Sequence, residues 1–245
     1  MLYICIPAYN EAPTVGLLLW RLRRVLQDFA REYEIVVYND GSTDATAETL
    51  TSYIEVLPLT VIGGSERRGY AQALEGLVRH ASRRTRYPRR DGLLMLQADF
   101  TDRPEDLPDL VKRFEGGADI VVAEREVTAA WPAPARMLRR LAPLLTRSVQ
   151  LPNVKDPFGT LRIYRISVLR DMIKNVPDGA ALVASEVWSA NVELLVRASR
   201  HARRIESVTF NPRYELRPRA TRIQPWRDAL ALFRSARAMK GLTAT

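Results

Sequence analysis

The first 123 residues alternate short runs of β-branched and aliphatic residues with longer stretches whose apolar residues recur at helical spacing. That alternation confines the chain to an α/β fold with a mostly parallel central sheet flanked by helices, because parallel neighbours need a crossover and a helix supplies it. Strands are predicted at Leu2–Pro7, Glu34–Tyr38, Leu59–Ile62, Gly92–Gln97 and Asp119–Ala123. Helices are predicted near Thr14–Arg31, Asp44–Tyr53, Tyr70–Arg83 and Glu105–Phe114. After residue 123 the alternation breaks. A Pro/Ala-rich loop at Ala129–Ala135 leads into a basic helical stretch from Arg136 to about Leu151, and a hairpin-like element follows. Thr160–Tyr164 and Arg204–Thr209 read as strands, Glu186–Ser199 as an amphipathic helix, and an Arg/Pro-rich tail ends in a helix near Pro225–Lys240.

Four of the strands run into polar or small residues: Ala8-Tyr9-Asn10-Glu11, Asn39-Asp40-Gly41-Ser42, Gly63-Gly64 and Ala98-Asp99. In an open α/β sheet the ligand crevice lies beyond the carboxyl ends of the strands, so these clusters are expected to converge on one site. Gly41 permits a tight turn, and Ser42 or Thr43 is placed to cap the following helix. Asp40 is placed to hydrogen-bond a nucleotide base or ribose.

Composition removes other classes. With Cys5 the only cysteine and His80 and His201 the only histidines, a disulfide framework, a thiolate metal cluster and a Ser-His-Asp triad are disfavoured. No stretch approaches the roughly 18 uncharged apolar residues of a membrane-spanning helix, and no signal-like region opens the chain. A cytoplasmic location is expected, at the inner face of a membrane if the substrate is a lipid. The net charge of +9 implies an acidic partner. Twelve of the basic residues lie between Arg197 and Lys240, against three acids, Glu206, Glu215 and Asp228. No nucleic-acid motif or aromatic stacking platform accompanies that charge, so nucleic acid is not expected as a partner.

Taken in order, IPAYNE (Ile6–Glu11), NDGSTD (Asn39–Asp44), SERRGYAQALEG (Ser65–Gly76), LLMLQADFTDRPEDLP (Leu93–Pro108) and DPFGTLRIYRISVL (Asp156–Leu169) carry a resemblance over nearly the whole chain. Glu193-Leu194-Leu195 followed by Asn211-Pro212-Arg213 extends it. The chain resembles family 2 glycosyltransferases of the GT-A fold, particularly the dolichyl- or polyprenyl-phosphate mannosyl- and glucosyltransferases. The resemblance implies a GT-A domain over residues 1–215, with a nucleotide-sugar-binding half (1–123) and an acceptor half (124–215), followed by a basic tail over 216–245. It implies an inverting transfer of a hexose from a nucleotide-diphospho-sugar donor to a polyprenyl phosphate or another phosphorylated acceptor. Pro7, Ala8, Tyr9, Glu11, Asp40, Gly69, Gln97, Ala98 and Asp99 are then the donor-binding residues. Asp99 and Gln97 are the ligands of Mg²⁺ or Mn²⁺.

Two departures stand out. The family pattern has two aspartates before the Gly-Ser pair, whereas this chain has Asn39-Asp40; it has two aspartates flanking one residue at the metal position, whereas this chain has Gln97-Ala98-Asp99. An amide oxygen still ligates a hard cation, but one negative charge is gone, so metal affinity is expected to fall. Asp99 becomes the main protein ligand, with Thr101 or Asp102 as help.

A phosphate acceptor is already anionic at neutral pH, so positioning by cations substitutes for a general base. Arg125, Arg162 and Arg213 match positions where the resemblance implies arginines for acceptor or donor phosphates, and a planar guanidinium suits that work. Asp99, Arg125, Arg162 and Arg213 are the candidate catalytic residues. Trp131, Arg136, Arg139 and Arg140 beside Leu138, Leu141, Leu144 and Leu145 fit either an interfacial helix at a membrane or an ordinary amphipathic one. Trp226, Leu230, Leu232 and Phe233 are equally ambiguous. Membrane contact is expected to be peripheral or supplied by a partner protein. Two readings stay open beside the main one: the same donor with a soluble small-molecule or glycan acceptor, and a nucleotide-sugar-binding relative silenced by Gln97.

Overall fold

A computed structural model describes residues 1–27, 29–100, 102–125, 151, 154–157, 159–177, 179–185 and 188–210, with isolated positions 133, 136, 137, 140, 230, 233, 234 and 237. The Ala129–Ala135 loop, most of the basic stretch after it, Arg213 and most of the tail lie outside the described residues. Strands are β1 (Leu2–Ala8), β2 (Tyr33–Asp40), β3 (Leu59–Gly64), β4 (Gly92–Met95), β5 (Ile120–Arg125), β6 (Arg162–Arg165) and β7 (Ile205–Phe210). Helices are α1 (Ala12–Leu26), α2 (Thr46–Ile54), α3 (Tyr70–Arg84), α4 (Leu107–Glu115), α5 (Ile166–Lys174) and α6 (Trp188–Ser199).

The strands form one seven-stranded sheet in the order β3-β2-β1-β4-β6-β5-β7. β1, β2, β3 and β4 are mutually parallel, as the alternation predicts, and β5 pairs parallel with β7. The expected hairpin is not what forms from the Thr160–Tyr164 run. Instead β6 is inserted between β4 and β5, antiparallel to both. The helix α5, which directly follows β6, was not anticipated; its buried Ile166, Val168, Leu169 and Met172 recur at helical spacing.

Period-two alternation along β1 divides the core. Leu2, Ile4 and Ile6 face one cluster with Leu18, Leu19 and Leu22 of α1, Leu50 of α2 and Leu110 of α4. Tyr3 and Cys5 face the other, with Leu74, Leu77 and Val78 of α3, Leu169 of α5 and Leu194 and Leu195 of α6. A central strand covered on both faces must be apolar on both, and all seven residues of β1 are buried. α1 opens with a proline in its first turn, where a missing N–H costs nothing.

At the end of the sheet opposite the polar tips, Phe114 of α4 is 1% exposed. The guanidinium groups of Arg165 and Arg31 lie 4.4 Å and 5.5 Å from its ring centroid. Arg165 also pairs with Asp119 at 2.8 Å and donates to the carbonyls of Phe114 and Ala118. Phe114→Ala removes a buried ring and two cation–π contacts, and is expected to cost about 3–5 kcal/mol of stability. Urea unfolding followed by circular dichroism measures it.

Candidate functional site

The chain steps outward from β1 to β2 and β3, then returns to β4 on the other side of β1. The reversal falls between β1 and β4, and an open sheet of this kind parts there to form a crevice at its carboxyl ends. Both non-glycine residues with positive φ among the described residues lie at the tips of these two strands: Asn10 at 53° and Phe100 at 58°. Side chains seldom accept that conformation, and such residues cluster where a site dictates the backbone path.

The loop after β2 holds the loop after β1. Asn10 N donates to Ser42 Oγ at 3.1 Å, Thr43 N to Asn10 Oδ1 at 2.8 Å, and Glu11 N to Thr46 Oγ1 at 2.9 Å. Ser42 and Thr43 therefore do not cap α2. Asp44 takes that task, accepting Thr46 N at 3.0 Å on one oxygen and Ala12 N at 3.1 Å on the other. Those bonds hold the Asp44 carboxyl below its ordinary pKa against the upward push of burial. Asn39 caps the turn by accepting Ser42 N at 3.1 Å.

Asp40 ends β2 and is 4% exposed. Its Oδ1 accepts Arg68 N at 2.7 Å and Gly69 N at 3.1 Å, and its Oδ2 approaches Gly69 N at 3.0 Å. A buried carboxylate needs such donors to offset its lost hydration. The Asp40 carboxylate, expected to hydrogen-bond a base or ribose, is here engaged by the backbone that leads into α3. Gly41 lets this happen, with φ at 64° and a position where a Cβ would lie 2.5 Å from Arg67 N. The same loop brings the Arg67 guanidinium 4.0 Å from the centroid of the Tyr9 ring at the tip of β1.

One residue further, the Tyr70 hydroxyl is a junction. Gln97 Nε2 donates to it from the tip of β4, and it exchanges hydrogen bonds with the amide of Asn191 on α6, at 2.9 and 3.2 Å. Burial pushes the Tyr70 hydroxyl up to about 12, and the nearby Asp99 charge adds to that shift. Gly69, with φ at 95°, joins the two anchors. The structure therefore brings together Tyr9, Asp40, Gly69, Gln97 and Asp99, with Pro7 and Ala8 in the adjoining strand and Glu11 at the start of α1. Ala98 lies buried between Gln97 and Asp99.

Other expected site residues are turned inward. Arg162 is 1% exposed, and its guanidinium donates to the carbonyls of Asn191 and Pro157 and to the Tyr164 hydroxyl. Arg125 pairs with Asp102, whose other oxygen accepts the Thr160 hydroxyl at 2.7 Å. The side chains of Arg125 and Asp102 are 7% and 0% exposed. Neither arginine presents an open guanidinium to a phosphate in this geometry, and Asp102 is spent on structure instead of helping Asp99. Tyr70 and Asn191 were missed as site residues. A buried asparagine in a helical turn that is buried throughout, Ala190–Leu194, is the signal that marks one of them.

A sheet of this order, with its crevice at the β1/β4 reversal, is that of the GT-A class of nucleotide-diphospho-sugar transferases. The family model described as glycosyl transferase family 2 matches residues 3–173, and the chain belongs to that family. The undecaprenyl-phosphate 4-deoxy-4-formamido-L-arabinose transferase of Pseudomonas aeruginosa is 31% identical over 175 residues, covering 69% of this chain and 48% of that protein. The dolichol-phosphate mannosyltransferase of Pyrococcus furiosus is 29% identical over 157 residues, covering 62% and 42%. The chain thus spans about half the length of the curated relatives it matches. The glucosyl-3-phosphoglycerate synthase of Mycobacterium tuberculosis, solved with Mn²⁺, UDP-glucose and glycerol 3-phosphate, superposes with a TM-score of 0.63 at 18% identity. That superposition covers 97% of this chain and 78% of that one.

Asp40→Asn puts an N–H₂ against the Gly69 amide and loosens the start of α3. Nucleoside diphosphate affinity is expected to fall about tenfold, the worth of one charge-assisted hydrogen bond. Calorimetric titration with uridine and guanosine diphosphates measures it.

Proposed function

We propose that the chain is an inverting hexosyltransferase that moves a sugar from a nucleotide-diphospho-sugar to a polyprenyl phosphate. The supporting observation is the junction at the start of α3, where Asp40 from β2 and Gln97 from β4 meet adjacent residues, Gly69 and Tyr70. That junction supports reading the β1/β4 reversal as the donor side of a family 2 chain whose curated relatives bear polyprenyl-phosphate transferase names.

Mg²⁺ or Mn²⁺ fits the strand tip. Asp99 offers a carboxylate and Gln97 an amide, both beside Tyr70, and a hard cation accepts one or two protein oxygens when substrate phosphates complete its shell. When bound, the cation stabilises charge on the departing nucleoside diphosphate. Asp99 holds that position, and the buried Arg125–Asp102 pair fixes the loop that follows it. An acceptor phosphate oxygen forms the new bond to the anomeric carbon as the bond to the diphosphate breaks, and the electron pair leaves with the nucleoside diphosphate. No proton has to be removed from a phosphate dianion, so no general base is required. Arg213 is the arginine we assign to the acceptor phosphate. Arg162 acts one step back, by holding the backbone of α6 at Asn191. The site works at the cytoplasmic face of the membrane, with the lipid acceptor presented from the bilayer.

Incubation with labelled UDP- and GDP-hexoses, Mn²⁺ and undecaprenyl phosphate in detergent is expected to yield an organic-extractable product. Asp99→Ala is expected to reduce its rate at least about a hundredfold. Label appearing only on soluble phosphorylated acceptors would move the acceptor assignment to that class, and an unchanged rate in Asp99→Ala would overturn the site.

A further inference from the structure

We propose that Tyr70 is a positioning residue of the cation site, acting through Gln97, and that a hydrogen-bonded brace replaces part of what a second carboxylate would contribute. The inference rests on reading the Gln97–Asp99 tip as the cation site. Gln97 has a flexible side chain and no charge, so it orients toward a cation only if something else fixes its amide. Tyr70 does so from the first position of α3, and Tyr70 is itself held from the opposite side by Asn191. Asn191 is 2% exposed, and its own carbonyl accepts the fully buried Arg162. The brace therefore ends in the backbone of α6 at Asn191 and the buried guanidinium of Arg162 on β6, not in solvent.

Neighbouring chemistry points the same way. Asp99 follows Gln97 by two residues at the same strand tip, and its charge adds to the upward shift of the Tyr70 hydroxyl. Asp102, three residues on, is engaged by Arg125 and Thr160. Gln97 is then the second protein oxygen at the tip, and its alignment decides whether it contributes. Groups that orient a metal ligand from behind commonly govern affinity by about ten- to a hundredfold when removed.

The test is Mn²⁺ binding to the full chain, read by water-proton relaxation enhancement, with Mn²⁺ alone and with inorganic pyrophosphate as a base-independent mimic of the donor diphosphate. Tyr70→Phe is expected to raise the Mn²⁺ Kd about tenfold in the presence of pyrophosphate, as Gln97→Ala does. The double variant is expected to match Gln97→Ala within about twofold, because the two residues act as one unit. Asn191→Leu, which loosens Tyr70 from its other side, is expected to shift the Kd in the same direction, and decides the matter if Tyr70→Phe does not fold. Mn²⁺ affinity within about twofold of wild type in folded Tyr70→Phe, or in Asn191→Leu, overturns the proposal, as do multiplicative effects in the double variant. Failure of the wild-type chain to bind Mn²⁺ at all overturns the cation site itself, whereas normal wild-type binding with unaffected variants removes only the role of Tyr70.

Discussion

The buried carboxylate of Asp40 and the buried hydroxyl of Tyr70 fix the first turn of α3, and the arrangement of the site follows from that turn. The amides that lead into α3 need acceptors, and a buried carboxylate has lone pairs to fill; joining them satisfies both at once. Asp40 takes the amides of Arg68 and Gly69, and the next residue receives Gln97 and Asn191. Two strands and two helices are registered against one another over three consecutive residues, Arg68 to Tyr70. Gly69, with its positive φ, turns the chain between these anchors at a position where a side chain would carry strain.

The arginines distribute in a way that net charge does not foretell. In a chain with a surplus of nine positive charges, several guanidinium groups are used inside the fold. Arg162 satisfies carbonyls in the interior, Arg165 lies over Phe114 while bonding Asp119 and three carbonyls, and Arg170 donates to the carbonyls of Ser82 and Thr85. A guanidinium has five donors in a fixed fork and is weakly hydrated, which makes it the cation best suited to gather backbone oxygens where chain segments end. Positive charge in this sequence thus serves architecture as well as recognition.

Much of the fold was legible because its signals are local. The parallel strands β1 to β4 follow from alternating runs, and their tips from the polar clusters that end them. The place of β6 was not legible, since nothing in Arg162–Arg165 says that it enters between β4 and β5, or that it runs antiparallel. At the site, Asp40 and Asp99 could be selected by type and place at strand tips, and Gln97 through the family resemblance. The partners of Asp40 and Gln97 could not, because Gly69 and Tyr70 lie 29 and 27 residues away along the chain from the groups they serve. The inward turn of Arg125 and Arg162 was hidden for the same reason: their partners are distant carbonyls and a carboxylate that spacing alone does not pair with them.

The insertion of β6 also governs the order of assembly. β4 and β5 emerge in sequence, yet neither pairs with the other; both pair with a strand that starts at Arg162, with 36 residues between it and the end of β5 at Arg125. Until that strand arrives, two central edges carry unpaired backbone groups of the kind that recruit foreign strands. The loop-closure entropy for those contacts must be met before any of their pairing energy is gained. The last step of sheet formation is therefore expected to be a slow, long-range docking that zips both edges shut together, making nascent chains that end before residue 165 prone to aggregation.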